Sequence, residues 1–194
     1  MIDCVIKLGG AAITVKDQLE TLQPDTIARV AGLISTLQSC GKRLVVVHGA
    51  GSFGHQHAAE AGLGGKCKRE ALVNPRPKKT ENVSAGVAAT RLALMKLHQI
   101  VLSELVSMNV PAVGISPFAR ETSHSKTTED ASIFSAIKKL VQLGLVPVLH
   151  GDIVLDEDTS TGFSILGGDV IMTQLCRQLK PKVAVFMVSF FTWT

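Results

Sequence analysis

Short apolar runs punctuate the chain, and each ends in glycine or a polar turn. Cys4-Val5-Ile6-Lys7-Leu8 precedes Gly9-Gly10, Leu44-Val45-Val46-Val47 precedes His48-Gly49, Val110 to Ile115 precedes Ser116-Pro117-Phe118, and Leu145 to Leu149 precedes His150-Gly151-Asp152. Apolar runs of this length, stopped by turn residues, predict strands that deliver their C-terminal ends into loops. Between them the period lengthens to that of a helix. Ile27, Val30, Ala31, Ile34 and Leu37 recur at helical spacing over 25–39, with Gly41 as the C-terminal stop. Val87, Leu92, Leu94, Met95, Leu97, Ile100, Val101, Leu105 and Val106 predict a long helix over 83–108 with an apolar face, core by default or in part the wall of an apolar ligand pocket. Ile133, Ile137, Leu140 and Val141 predict another over 130–143, closed by Gly144.

Strand, helix and strand therefore alternate as parallel β-loop-α-β units. Ile153–Leu155 and Gly162–Ile165 flank Asp156-Glu157-Asp158 and predict a β-hairpin; Gly167-Gly168-Asp169 opens a helix to about Leu179, and Lys182 to Val188 predicts a last strand. Residues 62–82 and Arg120 to Lys126 show no sustained period and read as surface loops. The expected fold is α/β, a three-layer αβα sandwich with a mostly parallel central sheet. The loops HGAGSFGH, SPF and HGD then fall on one edge of the sheet, where open α/β sheets bind ligands.

Composition narrows the class. The 194 residues suit one core, and 46% hydrophobic against 19% charged residues is globular rather than disordered. The net charge of +4 gathers in Lys66-Cys67-Lys68-Arg69 and Arg76-Pro77-Lys78-Lys79, which carry no interleaved aromatic residues for base stacking, so a nucleic-acid partner is not expected. Cys4, Cys40, Cys67 and Cys176 show no CxxC spacing, which predicts neither a zinc site nor a disulfide framework and fits a reducing compartment. No leader pattern or membrane-length apolar run is present, so a cytoplasmic protein with no membrane partner is expected.

The candidate chemistry concentrates in His48-Gly49-Ala50-Gly51-Ser52-Phe53-Gly54-His55. A glycine-rich loop after a buried strand leaves backbone N–H groups able to approach an anion, and it reads as a phosphate cradle. His55, at the start of the next helix, can add an imidazole N–H to the donors around an oxyanion. Lys7 sits inside a strand, which calls either for an anionic partner or for an edge position facing water. Lys16 lies just beyond the glycine turn and can reach the same place. Asp169, in the first turn of its helix, also serves as a plain dipole partner.

Taken together, IKLGGAAIT, VVVHGAGSFGH, VLHGDIVLD and GFSILGGDVI resemble the amino-acid kinase superfamily and, within it, the isopentenyl phosphate kinase family, over Met1 to about Met187. The resemblance implies that Lys7, Leu8, Gly9, Gly10, Ala11 and Gly51 meet the phosphates of ATP, with Mg2+ carried by the nucleotide and no protein metal site. It implies that Ala50, Gly54, His55 and Gly151 bind isopentenyl phosphate and that Lys16 stabilises the transferring phosphoryl group. Asp169 would orient the lysines and take part in nucleotide binding, and a homodimer is expected. In the family pattern an Asp-containing loop and an adenine-binding segment follow the strand at Lys182 to Val188, where this sequence has Ser189 to Thr194. The expectation is one amino-acid kinase domain over 1–194, incomplete at its carboxy end in the nucleotide-binding half. Kinases for phosphonate antibiotics or other small molecules, and a non-catalytic fragment that binds phosphate ligands or a full-length subunit, stand as alternatives.

Overall fold

The computed structural model of the chain describes residues 1–63, 83–118, 131–156, 159 and 161–188. In chain order the elements are β1 (Cys4–Leu8), α1 (Gly10–Ile13), α2 (Pro24–Ser39), β2 (Leu44–His48), a 3-10 turn (Gly51–Phe53), α3 (His55–Glu60) and α4 (Val83–Ser107). They continue with β3 (Ala112–Ile115), α5 (Ala131–Gln142), β4 (Val146–His150), β5 (Asp152–Leu155), β6 (Phe163–Leu166), α6 (Gly168–Leu179) and β7 (Val183–Met187).

Five strands form one sheet in the order β3-β4-β2-β1-β7, with every neighbouring pair parallel. β2 and β4 are buried on both faces, which is why they read as unbroken apolar runs rather than as alternating ones. The alternation survives in the packing. Ile6, Leu8, Val46 and Val148 pack with Ile27, Val30 and Ile34 of α2 and Leu97, Val101 and Leu105 of α4. Val5, Val45, Val47 and Leu149 pack on the other face with Ile133, Ile137 and Val141 of α5 and Ile171, Met172 and Leu175 of α6. Two helical layers thus enclose the sheet, and α/β architecture with a mostly parallel sheet is the observed fold. β5 and β6 pair antiparallel as the expected hairpin.

Two local expectations change. The turn after β1 is a one-turn helix, α1, entered through Gly9 in an extended conformation. Lys7 does not lie on an edge: β1 has β2 on one side and β7 on the other, so the edge reading is excluded and a partner is required. Of the loop expected at 62–82 all but residues 62 and 63, and the loop at Arg120 to Lys126, with Cys67 and both basic patches, lie outside the described residues, as do Glu157, Asp158 and Ser189 to Thr194. Among the described residues no helix is long and apolar enough to cross a membrane.

Candidate active site

The C-terminal ends of β1, β2 and β4 meet at backbone contact. A Cβ on Gly10 would fall 2.4 Å from the Gly51 nitrogen, and one on Gly49 2.7 Å from the Gly10 nitrogen, so only glycine lets the two loops abut. Gly51 has φ +52, and a Cβ there would lie 2.1 Å from the Thr14 hydroxyl. That hydroxyl donates to the Gly10 carbonyl (2.8 Å) and accepts from the Ser52 N–H (2.9 Å), tying α1 to the β2 loop. The β4 loop joins them: a Cβ on Gly151 would stand 3.6 Å from the Ala50 nitrogen and 3.5 Å from the Gly168 nitrogen at the start of α6.

The backbone donors of this cradle are not the ones glycine content alone suggests. The Gly9, Gly49 and Gly151 N–H groups extend the strand ladders, donating to the carbonyls of Met187, Leu8 and His48, each at 2.9 Å, and the Gly54 N–H donates to Gly51. The expectation that the glycines of the β2 loop all offer free N–H groups is corrected for Gly49 and Gly54. The N–H groups of Gly10, Ala11, Ala50, Gly51, Gly168 and Asp169 have no protein acceptor among the described residues. Buried or half-buried backbone donors need a partner, and a phosphate supplies several acceptors at once. Gly51 and Gly168 are buried and Ala50 and Gly10 half-buried.

Charge is added from two sides. The Lys7 Nζ lies 2.5 Å from Asp169 Oδ1, with the lysine mostly covered and the carboxylate 78% exposed. Lys7 also borders the α6 N-terminus, its Cε 3.4 Å from where a Gly168 Cβ would be. Lys16 is exposed on the turn between α1 and α2 and makes no ion pair among the described residues, so Asp169 meets Lys7 but not Lys16. Leu8 is buried in β1, and Ala11 is exposed on α1. His55 is exposed at the first position of α3, with its Nδ1 2.9 Å from the Gly51 carbonyl. Beside it a narrow apolar cavity of about 20 Å³ is lined by Ala50, Gly54, His55, Leu94, Gly151 and Ile153, among others. Leu94 lies on α4, so the long apolar helix does contribute a wall to a cavity.

Free backbone donors, a lysine and a carboxylate stand at the edge of a parallel sheet, and the family model described as the amino acid kinase family matches residues 4–189. The chain belongs to the amino acid kinase family. Among its relatives in that family, an isopentenyl phosphate kinase of Arabidopsis thaliana is 34% identical, aligned over 97% of this chain and 64% of that protein. One from Methanothermobacter thermautotrophicus is 34% identical, over 92% of this chain and 64% of its own length. The chain thus spans just under two thirds of these relatives. An X-ray structure of isopentenyl phosphate kinase superposes with a TM-score of 0.77 at 33% identity, covering 94% of this chain and 71% of the other. The T. acidophilum isopentenyl phosphate kinase in its product complex gives 0.74 at 27%, covering 95% and 69%.

Sequence reasoning missed three groups around this amino acid kinase site. His48, His98 and His150 are buried as a stack, with ring centroids 5.2 Å apart for His48–His98, 5.7 Å for His48–His150 and 4.3 Å for His98–His150. Burial disfavours the imidazolium and pushes His48 down to about 4 and His98 to about 3. A signal existed: His-Gly occurs at the ends of both β2 and β4, and the two histidines are register partners. Second, the Asp152 Oδ2 accepts from Arg91 Nη1 (2.6 Å) and from the Ser116 hydroxyl (3.0 Å). Burial raises the Asp152 carboxyl, against the pull of Arg91. Third, Glu20 binds His57 Nε2 and Lys96 Nζ, each at 3.0 Å.

Proposed function

We propose that the protein transfers the γ-phosphoryl group of ATP to isopentenyl phosphate, forming isopentenyl diphosphate and ADP. An acceptor phosphate oxygen attacks the γ-phosphorus while its bond to the β–γ bridging oxygen breaks, and the electron pair leaves on ADP. A phosphate monoester has a second pKa of about 6 and is largely dianionic at neutral pH, so no general base is needed. Phosphoryl transfer then depends on positioning and on charge stabilisation, which suits a site of backbone donors and lysines.

In this reading Lys7, Gly9, Gly10, Ala11, Gly51 and Asp169 serve the nucleotide phosphates, with Leu8 placing them. Lys16 stabilises the migrating charge, and Asp169 holds Lys7 in place. Ala50, Gly54, Gly151 and His55 serve the acceptor. The donor set facing the cradle suits phosphate oxygens rather than a cation, and among the described residues no three His, Cys, Asp or Glu side chains gather as ligands; Mg2+ would enter on the nucleotide's own oxygens. A cytosolic setting, expected from cysteine usage and the lack of a leader pattern, and a homodimer, expected from the resemblance, belong to the same reading.

The observation that carries it is the adjacency of His55 and the Ala50 amide to an apolar cavity, which suits an acceptor with an anionic head and a hydrocarbon tail. The relatives named as isopentenyl phosphate kinases support the same choice. The cavity is narrow, so the tail requires Leu94 or Ile165 to shift. The test is ADP release with isopentenyl phosphate, with a phosphonate acceptor and with a carboxylate acceptor such as acetylglutamate, the product followed by phosphorus NMR. The expected result is a diphosphate from isopentenyl phosphate and no turnover of the carboxylate. Preferential turnover of the carboxylate or the phosphonate overturns the assignment.

A further inference from the structure

We infer that His48 is a positioning residue: held in one tautomer by His98, it fixes the Gly49–Ala50 peptide so that the Ala50 N–H points into the phosphate cradle. The inference rests on the proposed reading of Ala50 as a phosphate-binding amide and adds what aims it. His48 Nδ1 lies 3.0 Å from the Gly49 carbonyl. A carbonyl only accepts, so Nδ1 carries the proton. His48 Nε2 is then a lone pair, and its partner at 2.9 Å, His98 Nδ1, must be the donor. For uncharged rings, the tautomers of both follow from this geometry. His150 repeats the device one strand away, its Nδ1 3.0 Å from the Gly151 carbonyl, and packs against both rings.

The consequence for the cradle comes from the peptide plane. In a trans peptide the C=O of one residue and the N–H of the next point in opposite directions. Holding the Gly49 carbonyl on the buried histidine therefore turns the Ala50 N–H away from the stack. That N–H has no protein acceptor among the described residues, and its nitrogen lies beside Gly151 and the cavity. Glycine at 49 leaves the peptide free to flip, so an aiming contact has something to do. The stack must stay uncharged for this arrangement, since a proton on His48 Nε2 would abolish the bond from His98, and burial keeps it so. Gly114 makes room: a Cβ there would fall 2.5 Å from His98 Nε2.

The test has an arm that needs no variant and no turnover. Long-range proton–nitrogen correlation spectra of the chain labelled in histidine should show His48 and His98 neutral at pH 7 with the proton on Nδ1; a proton on His48 Nε2 overturns the inference. The second arm measures binding of inorganic phosphate and of isopentenyl phosphate by calorimetry. His48→Phe, which keeps a ring and loses the donor, should weaken both about tenfold. His48→Asn, whose amide N–H can take the place of Nδ1, should return to within about threefold. Ala50→Pro removes the N–H at φ −74, which proline accepts. In that background the Phe and Asn variants should bind alike. Equal losses for Phe and Asn, additive losses in the double variants, or no phosphate binding by the unmodified chain would overturn the inference. Phosphate binding that follows the expected pattern without turnover of isopentenyl phosphate would refute the proposed reaction and leave the positioning role standing.

Discussion

His55 spends its Nδ1 proton on the Gly51 carbonyl, so its Nε2 donates to a phosphate only when the ring is an imidazolium. The charge then adds to the hydrogen bond, which suits an anchor rather than a proton acceptor. On the proposed reaction, His55→Ala should raise KM for isopentenyl phosphate ten- to a hundredfold, the worth of a bond to a charged group at about 1.5 to 3 kcal/mol, while KM for ATP stays within about twofold. His55→Gln, whose amide reaches about as far as Nε2, should recover part of the loss; equal effects on both substrates would remove His55 from the acceptor site. Asp169 calls for a different expectation. Its carboxylate is 78% exposed, so Asp169→Asn should cost under about 1 kcal/mol of stability in urea unfolding. The same variant should lower kcat at least tenfold by releasing Lys7, and an unchanged kcat would make the pair merely structural. Sequence alone left Lys7 undecided between a buried pair and an exposed edge, because the choice depends on β7, a partner strand more than 170 residues further on. His98 was illegible for a similar reason: on an apolar helix face it looks like any core position until β2 and β4 bring two more rings to it.

At the scale of elements, the strands and long helices were legible because buried β-strands and amphipathic helices carry different periods, and the glycine loops because they interrupt apolar runs. What joins the elements was not. The turn between α1 and α2, residues 14–22, looks like an ordinary polar connection, yet Thr14 pairs with Leu22 in an isolated antiparallel bridge. Glu20, in a left-handed conformation at φ +48, reaches His57 on α3 and Lys96 on α4. Lys96 and His57 both hold its carboxyl below the usual range, Lys96 more strongly. This clamp ties the turn that carries Lys16 to the helix that carries His55. Two surface ion pairs contribute little to stability, but under the proposed role of Lys16 a loosened turn would displace the lysine from the reacting group. Glu20→Ala should therefore lower kcat about tenfold while leaving the unfolding midpoint nearly unchanged, as read from steady-state kinetics beside a urea titration. A kcat equal to that of the unmodified chain would detach this turn from the chemistry.

For the whole molecule, the buried histidine stack makes acid stability depend on imidazoles before carboxylates. His48, His98 and His150 titrate near 6.5 when unfolded and are pushed down to about 4, 3 and 2 in the fold, chiefly by burial, with neighbouring rings and Arg91 adding to the shift for His98 and His150. Below pH 6.5 the unfolded chain therefore binds protons that the folded chain refuses, and stability falls as pH falls. Each ring costs about 1.4 kcal/mol per pH unit once well below 6.5, so between pH 7 and pH 5 each removes about 2 kcal/mol and the three together about 6. That is comparable with the whole stability of a domain, about 5 to 15 kcal/mol. The depressed carboxylates act lower. Asp3 and Glu20 are depressed and lose their contribution only as pH falls through the carboxylate range, while Asp152, which faces His150 at 3.6 Å and is raised by burial, works in the opposite sense. Urea unfolding at a series of pH values should therefore show the midpoint dropping steeply between pH 6.5 and 5. His98→Leu should remove about a third of that slope, whatever it does to stability at pH 7. A midpoint that stays level down to pH 5, with loss confined to the carboxylate range, would show that the three rings are charged or solvated in the folded chain.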